Sequence, residues 1–226
     1  MTVRATTARS TAATGRELAR TSAACGAAFL LLAVLVAAGW PALVRFDDRW
    51  SARAYGFTLN HHWCQALAKA ATWMGATPTL TVLTVVVALG CVFTHRLSLG
   101  VWLGVTLAGS ALLNSLVKLG MERIRPPSAG GLISAHGFAF PSGHTQGATS
   151  TYTAVVLVVG WQVWRPPRRG RLATAAAVTL LVGAVGLSRI MLGVHWPTDV
   201  LGGWLLGSTC VLAATAAFPA CRESVS

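Results

Sequence analysis

Charge is what this 226-residue chain has least of. Only 11% of its residues are Asp, Glu, Lys or Arg, where a soluble domain carries about a quarter. Acids are the scarcest, six Asp and Glu against eighteen Lys and Arg. So few carboxylates give no cluster for Mg²⁺, and no His-Glu-x-x-His helix offers a zinc site. The five cysteines (Cys25, Cys64, Cys91, Cys210, Cys221) contain no Cys-x-x-Cys pair, and three lie inside apolar runs, which argues against a disulfide framework. A glycine-rich nucleotide loop is missing too. An anion handled by this chain is therefore met by Arg, Lys and backbone donors, with no metal or cofactor expected.

What the chain has in abundance is apolar sequence: 54% of residues are hydrophobic and the mean hydropathy is +0.61. Six runs are long enough to read as membrane spans of about 20 residues: Thr21–Val44, Thr79–Thr94, Leu97–Val117, Thr145–Trp164, Leu172–Leu187 and Val200–Phe218. Two of them are on the short side, and for the second a tilted start around Ala66–Trp73 would lengthen it. The expected fold is all-α, a six-transmembrane helical bundle. Residues 1–20 read as a disordered basic tail, 21–218 as the bundle and 219–226 as a short second tail. Trp40, Trp102, Trp161 and Trp164 near span ends read as interfacial anchors. Gly104, Gly109, Gly183 and Gly186 read as points of close helix packing.

The formal net charge of +12 is largely topological. Arg4, Arg9, Arg16 and Arg20 precede the first span, and Arg165, Arg168, Arg169 and Arg171 fill one short gap, the pattern of cytoplasmic segments. An even number of spans then puts both termini in the cytoplasm, and nucleic acid is not needed as a partner. The rule alone is modest here, ten positives inside against eight outside. Two segments face the other side, Lys118–His144 and Ser188–Asp199, and they share a face.

Those segments carry the chemistry. Lys118 and Arg125 frame the first cluster, at the outer end of a span. Pro141-Ser142-Gly143-His144 opens the fourth span. Ser142 suits an N-cap there and Gly143 permits close backbone approach, so free N–H groups and the positive helix end would cradle phosphate. His144 beside such a site reads as a general acid. In the third cluster, Ser188-Arg189 through His195 to Asp199, Pro197 suits the first turn of a helix and Asp199 can reach back to His195. A carboxylate on one ring nitrogen frees the other as nucleophile or base. Arg189 adds a planar fork matched to phosphate oxygens. Residues alone leave open which histidine is the nucleophile.

These clusters resemble the three motifs of the type 2 phosphatidic acid phosphatase superfamily, integral membrane lipid phosphatases related to glucose-6-phosphatase and vanadium haloperoxidases. Lys118 through Pro126 resembles KxxxxxxRP, Pro141 through His144 resembles PSGH, and Ser188 through Asp199 resembles SRxxxxxHxxxD, with every signature position matched. The resemblance implies a two-step hydrolysis through a phosphohistidine. His195 is then the nucleophile, Asp199 steadies its ring and His144 protonates the leaving group. Lys118, Arg125, Ser142, Gly143 and Arg189 hold the phosphoryl oxygens. It also implies a lipid phosphate or pyrophosphate partner in a bacterial cytoplasmic membrane, with the site extracytoplasmic. Sixteen Arg against two Lys, with abundant Ala, hints at a GC-rich bacterial genome and tilts the choice toward undecaprenyl diphosphate. Two other readings are a transporter that recognises phosphate without cleaving it, which leaves His144 and the His195–Asp199 pair idle, and the haloperoxidase branch, against which six spans argue. The stretch Arg45–Lys69 mixes aromatics with Arg49 and Arg53, so it reads as lying along the outer interface. His61 and His62 read as loop residues, and His136 as either cavity-facing or solvent-facing.

Overall fold

In a computed structural model of the chain, residues 2–159 and 167–218 are described, with side chains from residue 14 onward. Among these residues eight helices follow one another: α1 Thr2–Ala37, α2 Pro41–Leu59, α3 His62–Met74, α4 Thr77–Phe93, α5 Leu97–Met121, α6 Gly143–Val155, α7 Arg168–Met191 and α8 Pro197–Ala217. Prolines stand in the first turns of α2, α4 and α8, where a missing N–H and a preset φ cost nothing. Helix α5 stops at Glu122, which takes a left-handed φ of 46°, two residues short of Ile124-Arg125-Pro126. Among the described residues no strand occurs, so the all-α expectation holds.

Among the described residues four helices are long and apolar enough to cross a bilayer: the Thr14–Ala37 part of α1, then α5, α7 and α8. Helices α3 and α4 pass the same test together, bent by 42° at their break, which makes five. The second span thus starts at His62, ahead of the Ala66–Trp73 region flagged for a tilted beginning, and takes that region in, because the break at Gly75 and Pro78 bends the pair instead of ending it. The expected count of six is not reached among the described residues, where α6 is a 13-residue helix rich in Thr, Ser and Gly. It continues in wider turns over 156–159, and the rest of the expected fourth span is outside the described residues. Helix α1 begins at Thr2 and so takes in residues of the expected basic tail. Ala and Arg favour helix, and no glycine interrupts before Gly15. The tail 219–226 falls outside the described residues, as do Trp161, Trp164, Arg165, Cys221 and Arg222.

Helix α8 is the hub, packed against α1 and α6 and touching α5 and α7. Its contact with α6 is glycine-dependent: a Cβ on Gly203 would lie 2.9 Å from the Ser142 carbonyl and from Thr145 Cβ, and one on Gly207 would lie 2.8 Å from Thr149 Cβ. Of the glycines expected at packing points, Gly186 is one, its place closed by Trp204 and Val200, while Gly104, Gly109 and Gly183 meet nothing within 4 Å. Trp102 corrects from anchor to core, 6% exposed among Leu99, Leu103, Leu157 and Val211. Trp40 stays exposed. Outward faces of α1, α4, α5 and α7 carry Leu30, Val34, Val82, Val86, Val105, Leu112 and Leu180 bare, an apolar surface suited to lipid.

Candidate active site

Three chain segments converge at one end of this bundle: the end of α5 with its following loop, the start of α6, and the turn from α7 to α8. Between them lies a cavity of about 750 Å³, walled by Lys118, Arg125, Gly143, His144, Arg189 and His195. That volume falls in the range of small-molecule sites. No Asp or Glu is on its wall.

His195 occupies the turn between α7 and α8 and is 2% exposed. Its Nδ1 is 3.2 Å from Asp199 Oδ2, and its Nε2 is 3.2 Å from Arg125 Nη1. A guanidinium only donates, so Nε2 is the accepting nitrogen and Nδ1 carries the hydrogen given to Asp199. The lone pair thereby sits on the cavity-facing nitrogen. Burial pulls the imidazole down to about 4, more than Asp199 restores, so it is neutral at neutral pH. Asp199 stands in the first turn of α8, and its Oδ2 also accepts the Trp196 N–H at 2.9 Å, reaching back to the helix start.

Arg125 spends its other donors on the loop that precedes α6 and on the turn before α8: Nε on the Gly137 carbonyl at 2.9 Å, Nη2 on that of His136 at 2.9 Å, and Nη1 on that of Val194 at 2.7 Å. Burial lowers its pKa, Asp199 opposing. Lys118 Nζ, in the last turn of α5, donates to the Phe138 carbonyl at 2.8 Å. Arg189, 4% exposed at the end of α7, donates from Nη1 to Thr72 Oγ1 at 2.6 Å. Its Nε is buried and has no partner. A buried cationic donor without an acceptor is costly, and an anion in the cavity is the natural complement.

The expected residues divide into two groups. Lys118, Arg125, Gly143, His144, Arg189 and His195 are brought together on the wall, whereas Ser142 and Asp199 are fully buried behind it. Ser142 stands at the N-cap of α6, yet its side chain does not cap a backbone N–H. Its Oγ accepts the Thr145 hydroxyl at 3.0 Å, and its own N–H goes to the Asp199 carbonyl at 2.9 Å, tying α6 to α8. His136 is exposed and lines the cavity. Sequence reasoning passed over Arg123, Asp47, Thr198 and Thr72, which stand behind the wall residues. Arg123 was visible inside the first cluster as a cation without a signature position. The other three carry no local signal. No group of three or more His, Cys, Asp or Glu placed to hold a metal ion occurs among the described residues.

A family model described as the PAP2 superfamily matches residues 99–223. The chain is similar to phosphatidylglycerophosphatase B of Bacillus subtilis, 30% identical over 179 residues that cover 79% of this chain and 87% of that one. It is 29% identical to undecaprenyl-diphosphatase of Sulfolobus acidocaldarius over 128 residues, 54% of this chain and 57% of that one. Among solved structures, a transmembrane PAP2-type phosphatidylglycerolphosphate phosphatase from Bacillus subtilis superposes with a TM-score of 0.76 at 27% identity, covering 86% of this chain and 94% of that one.

Proposed function

The chain belongs to the PAP2 superfamily, and from that membership we propose that it hydrolyses a lipid phosphomonoester or diphosphate through a phosphohistidine formed on His195. It is a multi-pass membrane protein of a phosphatase family whose similar members act on lipid phosphates. The observation that carries the reading is the cavity wall: Lys118, Arg125 and Arg189 with the imidazoles of His144 and His195, no carboxylate on the wall, and Arg189 Nε buried without an acceptor.

The chemistry divides between two histidines. In the first step the His195 Nε2 lone pair forms a bond to phosphorus while the ester or anhydride P–O bond breaks. The leaving oxygen takes a proton from His144, whose protonated form an anionic substrate favours. Arg125, Arg189 and Lys118 neutralise the transferring oxygens, with the N–H groups of the α6 start behind Ser142 and Gly143 adding to them. In the second step water attacks phosphorus, its proton returns to His144, the N–P bond breaks, and orthophosphate leaves. Asp199 stabilises the positively charged ring while the bond exists. Below the cations the cavity is walled by Leu80, Val85, Leu107, Ala108 and Ala111, a lining suited to a lipid chain. No metal or cofactor has a role in this scheme, the termini are cytoplasmic, and the site opens on the extracytoplasmic side of a bacterial membrane.

The test is orthophosphate release by purified, detergent-solubilised protein from phosphatidic acid, phosphatidylglycerol phosphate and undecaprenyl diphosphate, with and without EDTA. We expect release from at least one lipid, unchanged by the chelator. His195→Ala should lose about 10⁴-fold in kcat. Binding of phosphate without release from any lipid supports a transporter instead, and wild-type rates in His195→Ala remove His195 as nucleophile.

A further inference from the structure

Asp47 is 1% exposed on α2, ahead of the residues 99–223 that the family model matches. No expected site residue lies on that helix. Yet all the hydrogen bonds of its carboxylate go to groups next to Asp199. Its Oδ1 accepts the backbone N–H of Thr198 at 3.0 Å, and its Oδ2 accepts the Thr198 hydroxyl at 2.5 Å and Arg123 Nη2 at 2.7 Å. The last of these is also an ion pair. Arg123 then reaches over with Nη1, donating to Asp199 Oδ1 at 2.5 Å and to Thr198 Oγ1 at 2.7 Å. Trp196 covers the guanidinium, 5.7 Å from its ring centroid.

One guanidinium is thus shared between two carboxylates, and this sharing leaves Asp199 Oδ2 for His195. Arginine's fork prefers to grip a single carboxylate with two parallel bonds. Here Asp47 occupies the second arm, so Asp199 gives Arg123 only Oδ1. Thr198 has a single hydroxyl hydrogen, given to Asp47, so its lone pair receives Arg123. Remove the Asp47 anion and Nη2 is released toward Asp199 Oδ2, the oxygen that orients the catalytic ring.

We propose that Asp47 is a positioning residue, holding Arg123 and the start of α8 so that Asp199 keeps one oxygen for His195. This rests on the proposed role of His195. It places α2, a helix outside the three motifs, among the parts that set the nucleophile.

The experiment compares wild type with Asp47→Asn and Ser51→Ala in detergent. Ser51 shares the buried face of α2, and its hydroxyl has no partner, so Ser51→Ala controls for disturbance of the helix. The Asp47→Asn substitution keeps an acceptor for the Thr198 N–H and removes the anion. For this variant we expect kcat to fall about ten- to a hundredfold with KM within twofold. The proton on His195 Nδ1, identified in NMR spectra by its absence from His195→Ala, should move upfield as its bond to Asp199 weakens. Ser51→Ala should match wild type in both. If Asp47→Asn does not give folded protein, Arg123→Lys breaks the same link from the other end and is read in the same way. Unchanged kcat with an unmoved resonance overturns the proposal, as does an equal loss in Ser51→Ala. A wild type that releases no phosphate sinks the proposed hydrolysis instead, and the ring-proton resonance still decides the role of Asp47.

Discussion

His195 is held neutral by burial although Asp199 lies 3.2 Å away, and in its proposed role as nucleophile this sets the acid side of the reaction. A histidine in water protonates near pH 6.5. In the free enzyme the ring takes its proton only near pH 4, and once protonated Nε2 has no lone pair to give. Activity is therefore present above that value and lost as pH falls through it. The acid limb of kcat/KM, which reports the free enzyme, should lie near pH 4 after correction for ionisation of the substrate. A limb at the ordinary histidine value would show a solvent-exposed ring. At this scale most of the wall was readable from sequence, because Lys118, Arg125, His144, Arg189 and His195 sit at fixed spacings inside short segments. Ser142 was readable as a position but not as a contact: its hydroxyl takes Thr145 instead of a backbone N–H. Asp47 could not be found, since it meets Thr198 across 151 residues of chain.

Helix α6 brings Gly143 and His144 to the wall and α8 holds Asp199 behind it, and the spacing of these two helices depends on two glycines one turn apart. Gly203 lies under the Ser142 carbonyl and Gly207 under Thr149. A methyl group at either position must displace backbone or a β-branched side chain, an overpacking that costs about 1–3 kcal/mol. Both Gly203→Ala and Gly207→Ala should lower the melting temperature in detergent. Gly203→Ala should also lower turnover severalfold, because it pushes on the residue before Gly143 and His144. Gly207 is about 6 Å farther along the helix, so its variant should keep near wild-type turnover per folded molecule. Equal turnover losses would mean that α6 moves as a rigid body. The sequence singled out Gly104, Gly109, Gly183 and Gly186 as packing points, of which only Gly186 is crowded. Small residues permit contact, but the partner helix decides where contact occurs.

For the whole molecule, the proposed orientation puts the loop after α5 outside the cell and the start of α7 inside. Ser134 and Arg169 are both exposed. Ser134→Cys should react with a membrane-impermeant maleimide in intact cells, and Arg169→Cys only after permeabilisation. The reverse pattern overturns the orientation. Low charge and long apolar runs announced a helical membrane protein, since in hydrocarbon a backbone has to satisfy its own hydrogen bonds and helix is the local way to do so. The three motifs announced the proposed anion site for the same local reason: each brings its residues together within a few turns of chain. Span number was less legible, because hydropathy does not tell a bent pair such as α3–α4 from one straight helix, or a polar buried helix such as α6 from a loop. Packing alone settled which side chains stand behind the wall. Burial of His195, the unpaired Nε of Arg189 and the sharing of Arg123 between Asp47 and Asp199 all arise where distant helices meet, and contact between distant segments leaves no periodicity in the chain.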